Sequence, residues 1–321
     1  MKIISIVLGI LCFFGCSQER KEEDLPSQES HCMKVLSTTG MIGDIVSRVG
    51  GNRIESSVLI FGEIDPHSYE LVKGDDEKIE DAVLVFYNGL NLEHGASLQY
   101  KIRSHKGNVS LGAYFLEHYP DLILFEKEQM DPHIWMDISL WAKIVDPIVV
   151  ALSEKDPEGK NYYIERGALL KKEMLEKHEH LKSILQQIPA NKRYLVTSHD
   201  AFGYFTRSYL ALEEELKTGA WRPRFAAPEG LSPDGQLGAM DLQKIIHHLI
   251  EYHIEIVFPE SNVSRDSLYK IVNACKEKKI KVRFSTDTLY GDCMGPHGTT
   301  EGTYLGMISH NAQVLIKEWQ E

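Results

Sequence analysis

Two short segments of the chain present histidine in the same context. Residues 64–70 read IDPHSYE and residues 130–137 read MDPHIWMD, so His67 and His133 each follow Asp-Pro and precede an aromatic residue by two positions. Proline fixes its own φ and restricts the residue before it, which presents each imidazole from a stiff turn. A nearby carboxylate could accept the second ring N–H and orient the ring toward a metal ion. The repeated motif therefore predicts two metal ligands.

Two further candidates follow predicted strands in the second half of the chain. His199 lies in SHDAFGYF after the apolar run YLVT, and Asp287 lies in STDTL after the strand KVRF. The carboxyl ends of parallel strands are where open α/β sheets bind ligands. Taken alone, His199 could be a core histidine at a helix start and Asp287 a turn or cap residue. Together with His67 and His133 they predict a site of three imidazoles and one carboxylate, suited to Zn(II), Mn(II) or Fe(II) rather than Ca(II).

The elements that must position these residues alternate between strand and helix. We predict strands at 34–38, 56–60, 82–87 and 109–111, a helix at 41–49 and another at 135–152. A second series comprises strands at 194–197, 255–258 and 281–284 and helices at 237–252, 265–278 and 301–319. Alternation of this kind predicts parallel βαβ units. The fold class is therefore α/β, with two similar lobes that each hold a parallel sheet flanked by helices.

A charged stretch from 157 to 187 separates the two series. It contains no internal proline and only two glycines, Gly159 near its start and Gly167, and its apolar residues recur at helical spacing until Pro189. It predicts either an ordinary surface helix or one long rigid helix of roughly 45 Å that joins the lobes. The predicted domains are an N-terminal lobe at 34–153, a linking helix at 154–189 and a C-terminal lobe at 190–321.

Taken together, these motifs resemble the metal-binding lipoproteins of zinc, manganese and iron ABC importers, the ZnuA, TroA and PsaA types. The similarity runs from about residue 34 to the end and includes PEGLSP at 228–233 and VFPE at 257–260. Three segments particularly resemble chlamydial members of this family: IDPHSYELVKGD, NGLNLEH and PHIWMD. The resemblance implies that His67, His133, His199 and Asp287 bind one metal ion, two from each lobe, and that a long helix joins those lobes.

The resemblance also implies a cargo and partners. The chain would capture Mn, Fe or Zn outside the cytoplasm and deliver it to an ABC permease with its ATPase. The sequence has no P-loop, so ATP hydrolysis belongs to another chain. The segment between Pro120 and Asp131 lacks the His- and acid-rich insertion of high-capacity zinc members, whereas His199 replaces the Glu of many manganese members. The metal is therefore left open.

The N-terminus predicts export and lipidation. Lys2 precedes an apolar run from 3 to 14 that ends in FFGC, which looks like a bacterial lipobox with Cys16 as the acylated residue. We predict a signal peptide at 1–15, a disordered tether at 16–33, and a chain anchored by lipid in the periplasm or at the cell surface. A simple cleaved signal and an uncleaved anchor are the alternatives, and both place the chain outside the cytoplasm.

The five cysteines fall into two groups, those of the export and lipidation signal and those of the rest of the chain. Cys12 leaves with the signal and Cys16 takes lipid, which leaves Cys32, Cys275 and Cys293 in a compartment that permits disulfides. We predict that Cys275 pairs with Cys293 and that Cys32 stays free. The alternative is that all three are reduced.

Composition narrows the class of protein. The chain has 321 residues and a net charge of -12, which argues against nucleic acid or an anionic lipid surface as partner. A zinc-dependent hydrolase is an alternative, but four protein ligands leave little room for the water that a catalytic site needs, and no nucleophile–base pair stands out. A surface adhesin has no support in the residues. We expect a monomeric binding protein that is not an enzyme.

Overall fold

The structure is a computed structural model that describes residues 32–233 and 238–320. The predicted signal peptide, Cys16 and the tether up to residue 31 lie outside the described residues, as does Leu237, the first residue of one predicted helix. From Cys32 onward the chain forms one compact unit. No helix in the described part of the chain is long and apolar enough to cross a membrane.

Strands and helices alternate along both halves of the chain, as predicted. The strands β1 to β10 span Met33–Thr39, Ile54–Ile60, Leu84–Tyr87, Asn108–Ser110, Phe125–Glu126, Gln129–Met130, Leu195–Val196, Phe225–Ala226, Ile256–Val257 and Arg283–Phe284. The helices α1 to α12 span Gly40–Gly50, Asp75–Asp81, Ala96–Ser104, Leu111–His118, Ile138–Trp141, Val145–Lys155, Lys160–Leu185, Gly203–Phe205, Glu213–Thr218, Ala239–Glu251, Asp266–Glu277 and Tyr304–Gln320.

The N-terminal lobe is built on a parallel sheet with the strand order β2-β1-β3-β4. The central strand β1 is buried on both faces because successive side chains enter different cores. Val35 packs into the main core, whereas Leu36 packs into a smaller cluster with Leu98 and Ile102 of α3. This layering leaves the carboxyl ends of β1, β2 and β3 at one common edge.

The C-terminal lobe repeats this order with shorter strands. β8 pairs with β7 and β10 pairs with β9, all in parallel, and a parallel bridge between Thr197 and Phe258 joins the two pairs. The resulting order β8-β7-β9-β10 again places the first strand of the lobe between the second and the third. The predicted α/β fold with two similar parallel sheets is confirmed.

One predicted helix is broken into shorter pieces. Instead of a single helix over 135–152, the chain forms a 3₁₀ turn at Ile134–Met136, then α5, another 3₁₀ turn and α6. The Asp137 carboxylate accepts hydrogen bonds from the backbone N–H groups of Ser139 and Leu140, so a new helix begins there. Local capping therefore overrides the apolar periodicity that predicted continuity.

The predicted linking helix is α7, whose 26 residues give a length of about 39 Å. Its buried residues recur every three or four positions: Tyr163, Gly167, Leu170, Met174, His178, Leu181 and Leu185. A Cβ at Gly167 would lie 2.7 Å from the Val149 side chain, so glycine permits the close approach of α6. The core into which α7 packs draws residues from both lobes, so it does not mark where one lobe ends and the other begins. The lobe boundaries at 153 and 189 therefore stay predictions.

A partly buried ionic contact holds the start of α7 to the N-terminal lobe. Arg53 donates to both Asp156 carboxylate oxygens at 2.7 and 2.9 Å, and the Tyr163 hydroxyl donates to the same carboxylate at 2.6 Å. Chiefly through the Arg53 hydrogen bond, these donors lower the pKa of Asp156 to about 2. The ionised form of Asp156 therefore stabilises the folded chain more than the protonated form does.

This contact predicts a pH-dependent loss of stability. The depressed pKa means that the contribution of Asp156 is present above its ordinary pKa of 3.8 and is lost as the pH falls toward about 2. Asp156→Asn should therefore be less stable than the natural chain at pH 6, with a smaller difference near pH 2.5. Urea unfolding at both pH values measures the two free energies. A difference that does not change with pH would contradict this role.

Candidate metal centre

Three of the four predicted ligands meet at the edge formed by the strand carboxyl ends, but the fourth residue is a different aspartate. His67, His133, His199 and Asp292 each offer one ligand atom, and these atoms all lie within 4.8 Å of one another. All four residues are buried. The site draws His67 and His133 from the N-terminal lobe and His199 and Asp292 from the C-terminal lobe.

The separations of the ligand atoms suit a shared ion. The Nε2 atoms of His67 and His133 lie 3.3 Å apart. The Asp292 oxygens lie 3.3 Å from Nε2 of His133, 3.1 Å from Nε2 of His199 and 3.5 Å from Nε2 of His67. Two donor atoms that are each about 2.0–2.1 Å from a tetrahedral ion are about 3.3 Å apart. The four side chains are therefore already spaced as donors around one ion.

His67 follows β2 in an irregular segment. Its backbone N–H donates to Asp65 Oδ1 at 2.9 Å, and the Ser68 hydroxyl donates to Asp65 Oδ2 at 2.6 Å. Asp65 thus closes the Asp-Pro-His turn through the backbone and not through the imidazole ring. Burial lowers the pKa of His67, although Asp292 opposes this shift. A neutral imidazole is the form that binds metal.

His133 has the ring-orienting carboxylate that the motif predicted. Asp131 Oδ1 lies 2.7 Å from His133 Nδ1 and also accepts the His133 backbone N–H at 2.9 Å. This contact places the proton on Nδ1 and leaves Nε2 free toward the site. Burial alone would lower the pKa of His133, but Asp131 and Asp292 raise it to about 9. The Tyr204 hydroxyl, from the other lobe, donates to the Asp131 carbonyl oxygen at 3.0 Å.

Glu260 performs the corresponding role for His199. Its Oε2 lies 2.8 Å from His199 Nδ1, while Oε1 accepts the backbone N–H groups of Ser198 and His199 at 3.0 and 2.9 Å. Burial opposes protonation of His199, but Glu260 and then Asp292 raise its pKa well above the ordinary value. Glu260 closes the VFPE segment, and the sequence had singled out this segment only through family resemblance.

The prediction that Asp287 supplies the carboxylate is wrong. Asp287 lies on the surface, where its carboxylate accepts from Lys317 Nζ at 2.9 Å and from the Thr286 hydroxyl at 3.3 Å. Asp292 occupies the site instead, five positions later and fully buried in its side chain. No signal in the sequence distinguished it, because the need for glycine at position 291 appears only in the structure, where a Cβ would lie 2.2 Å from Glu260 Oε2.

The buried polar atoms fit a cation. Both Asp292 oxygens and His199 Nε2 are buried without a hydrogen bond to any residue that the structure describes. Burial would raise the pKa of Asp292, but the three imidazoles hold it well below its ordinary range, so the carboxylate is ionised. Buried groups of this kind normally require a partner. A cation that replaces the imidazole protons supplies one.

The predicted disulfide is not formed, because Cys275 and Cys293 are both free thiols. Cys275 lies on the inner face of α11 in an apolar cluster with Leu268 and Ile271. Cys293 follows Asp292, and its Sγ lies 3.1 Å from the Ser261 hydroxyl. The two thiols therefore belong to different environments of the C-terminal lobe. Cys32 is also free, as predicted.

We expect alkylation to detect all three described thiols. If the chain is unfolded without reductant and treated with iodoacetamide, Cys32, Cys275 and Cys293 should each be modified, since none is paired. Peptide mass spectrometry measures this, and a reduced sample processed in parallel is the control. Modification of Cys32 alone before reduction would show that the disulfide exists.

Comparisons with known proteins agree with the metal centre described above. The family model described as "Zinc-uptake complex component A periplasmic" matches residues 35–318. The chain is 38% identical to metal-binding protein YtgA of Chlamydia pneumoniae, over 98% of this chain and 95% of that one. It is 30% identical to manganese-binding lipoprotein MntA of Bacillus subtilis, over 98% and 97%.

A solved structure agrees with the sequence comparisons. The crystal structure of Fe(III)-bound YtgA from Chlamydia trachomatis superposes with a TM-score of 0.84 at 37% identity, and the match covers 89% of this chain and 98% of that one. The range that the family model matches, residues 35–318, includes the four buried ligand residues. The chain therefore belongs to the family of periplasmic zinc-uptake component A proteins.

Proposed function

We propose that this chain is the solute-binding component of an ABC metal importer, and that His67, His133, His199 and Asp292 bind one transition-metal ion as cargo. The observation that carries the proposal is the convergence of four buried ligand atoms from both lobes within 4.8 Å. The comparison with a family of periplasmic uptake components supports the same role. The chain is accordingly a solute-binding protein and not an enzyme, as the sequence predicted.

The geometry favours binding over hydrolysis. A catalytic zinc site keeps a position open for water beside three protein ligands. Here four side chains surround the position, and the side chains of His133, His199 and Asp292 are completely buried. The carboxylates nearest to the imidazoles, Asp131 and Glu260, contact the Nδ1 atoms and are not directed at a substrate. This arrangement is suited to holding an ion.

Cargo in this site is Mn, Fe or Zn. Imidazole and carboxylate donors suit all three metals, and ligand affinity alone favours Zn(II) over Fe(II) and Mn(II). The relatives are named for different ions, since MntA is manganese-binding and the YtgA crystal structure is Fe(III)-bound. The carboxylates of Asp131 and Glu260 add negative charge behind two imidazoles, which strengthens these ligands for any of the three.

Delivery follows from the family role. We propose that the chain is tethered outside the cytoplasm by lipid on Cys16 and passes its ion to a permease driven by a separate ATPase. The family is described as periplasmic and MntA as a lipoprotein, and both descriptions support this location. Labelling with tritiated palmitate followed by membrane fractionation tests it. The natural chain should carry label in the membrane fraction, whereas Cys16→Ala should carry no label and should leave the membrane. Labelling that persists in the variant would place the lipid elsewhere.

Replacement of Asp292 should remove metal binding, whereas replacement of Asp287 should not. Asp292→Asn keeps the shape of the side chain but removes the negative charge, so affinity should fall by more than the roughly 10–100-fold that loss of an outer-shell partner costs. Asp287→Asn is the matched control on the surface. Competition titration against a chromogenic chelator measures both with Zn(II) and Mn(II).

The natural chain provides the reference in this experiment. Elemental analysis of protein purified from its native host should find about one equivalent of Mn, Fe or Zn. Protein that contains none of the three metals would contradict the proposed function. Equal metal affinity of the Asp287→Asn and Asp292→Asn proteins would contradict the proposed ligand set.

A further inference from the structure

We infer that Trp135 is a positioning residue that holds the Asp292 segment (residues 285–303, between β10 and α12) against the turn that follows His133. This inference rests on the proposed function. The Trp135 indole N–H donates to the Gly291 carbonyl oxygen at 2.9 Å, across 156 positions of sequence. His133 precedes, and Trp135 lies within, the 3₁₀ turn Ile134–Met136. One short turn of the N-terminal lobe thus supplies a metal ligand and fixes the peptide next to a ligand of the other lobe.

The other side of Gly291 is occupied as well. A Cβ at this position would lie 2.2 Å from Glu260 Oε2 and 3.2 Å from the His199 ring. The Gly291 backbone is therefore held between the Trp135 indole and the carboxylate that orients His199. Since Asp292 is the next residue, a small rotation of this peptide would move its carboxylate away from the three imidazoles.

Trp135 also contacts the far end of the same segment. Its carbonyl oxygen accepts the Tyr304 hydroxyl at 2.7 Å, and Tyr304 is the first residue of α12. Further along α12, the Asn311 side chain exchanges hydrogen bonds with the backbone N–H and C=O of Tyr290 at 2.9 and 2.8 Å. The segment that carries Asp292 is thereby tied to Trp135 on both sides of the ligand.

These contacts bear on affinity because they are buried and directional. Trp135 is 1% exposed and Tyr304 is fully buried, so the groups they satisfy have no access to bulk water. Removal of the indole donor leaves the Gly291 carbonyl without this bond, and the peptide can rotate to find another partner. Outer-shell partners that orient a metal ligand typically change affinity by about 10–100-fold.

Trp141 offers a matched control. It is also fully buried, its ring centroid lies 6.2 Å from those of both Trp135 and Tyr304, and its indole N–H donates to the Met41 carbonyl oxygen at 3.4 Å. Met41 belongs to α1 and not to the Asp292 segment. Trp141→Phe therefore removes an indole of similar burial whose hydrogen bond does not involve the residues around Asp292.

The experiment compares Trp135→Phe with Trp141→Phe in the full chain. We measure Zn(II) and Mn(II) affinity by competition, the visible absorption spectrum of the Co(II)-loaded protein, and thermal unfolding of the metal-free protein. Trp135→Phe should bind metal about 10–100-fold more weakly than the natural chain and should alter the Co(II) spectrum. Trp141→Phe should bind within about threefold of the natural chain with an unchanged spectrum, even if it unfolds at lower temperature.

Three outcomes would overturn the inference. Natural affinity and spectrum in Trp135→Phe would show that the indole does not position Asp292, while equal losses in both tryptophan variants would show that the effect is one of general packing. If Trp135→Phe does not fold, Tyr304→Phe decides, because it removes only the hydrogen bond to the Trp135 carbonyl oxygen and should weaken binding in the same direction. Natural affinity in Tyr304→Phe would then be the third outcome that overturns the inference. A natural chain that binds no metal would instead overturn the proposed function itself.

Discussion

The structure depends on one buried carboxylate that meets three imidazoles. Asp292 Oδ1 and Oδ2 lie 3.1–3.5 Å from the Nε2 atoms of His67, His133 and His199. An ionised carboxylate in such a place is costly unless it is paired, so the surrounding chain must either supply positive charge or admit a cation. Most features near the site serve this requirement.

The imidazoles in turn are fixed by carboxylates behind them. Asp131 and Glu260 contact the Nδ1 atoms of His133 and His199 and bind the backbone N–H groups of the same residues. Each of these carboxylates therefore sets both the ring and the main chain of a ligand. The negative charge of the carboxylates around the site is balanced when one metal ion takes the place of the protons on the imidazoles.

The two lobes are joined more extensively than a simple connecting helix requires. The main core takes side chains from both sheets and from α7, and Trp135 and Tyr204 make hydrogen bonds that cross between the lobes beside the site. The extent of this shared core favours small shifts of packed elements over a wide hinge motion. Wide opening would expose the shared core to water.

The sequence by itself determined the fold class, the long helix and three of the four ligands. These features depend on local signals: strand–helix alternation, the stiff Asp-Pro-His turns of His67 and His133, and the strand end before His199. Only the tertiary structure decided that Asp292 and not Asp287 completes the site, and that Cys275 and Cys293 stay apart. Asp292 lies in an irregular segment in which the preceding residue, Gly291, accepts a hydrogen bond from the distant Trp135 and lies against the distant Glu260. No short-range pattern encodes such contacts, because they arise from the packing of residues far apart in the chain.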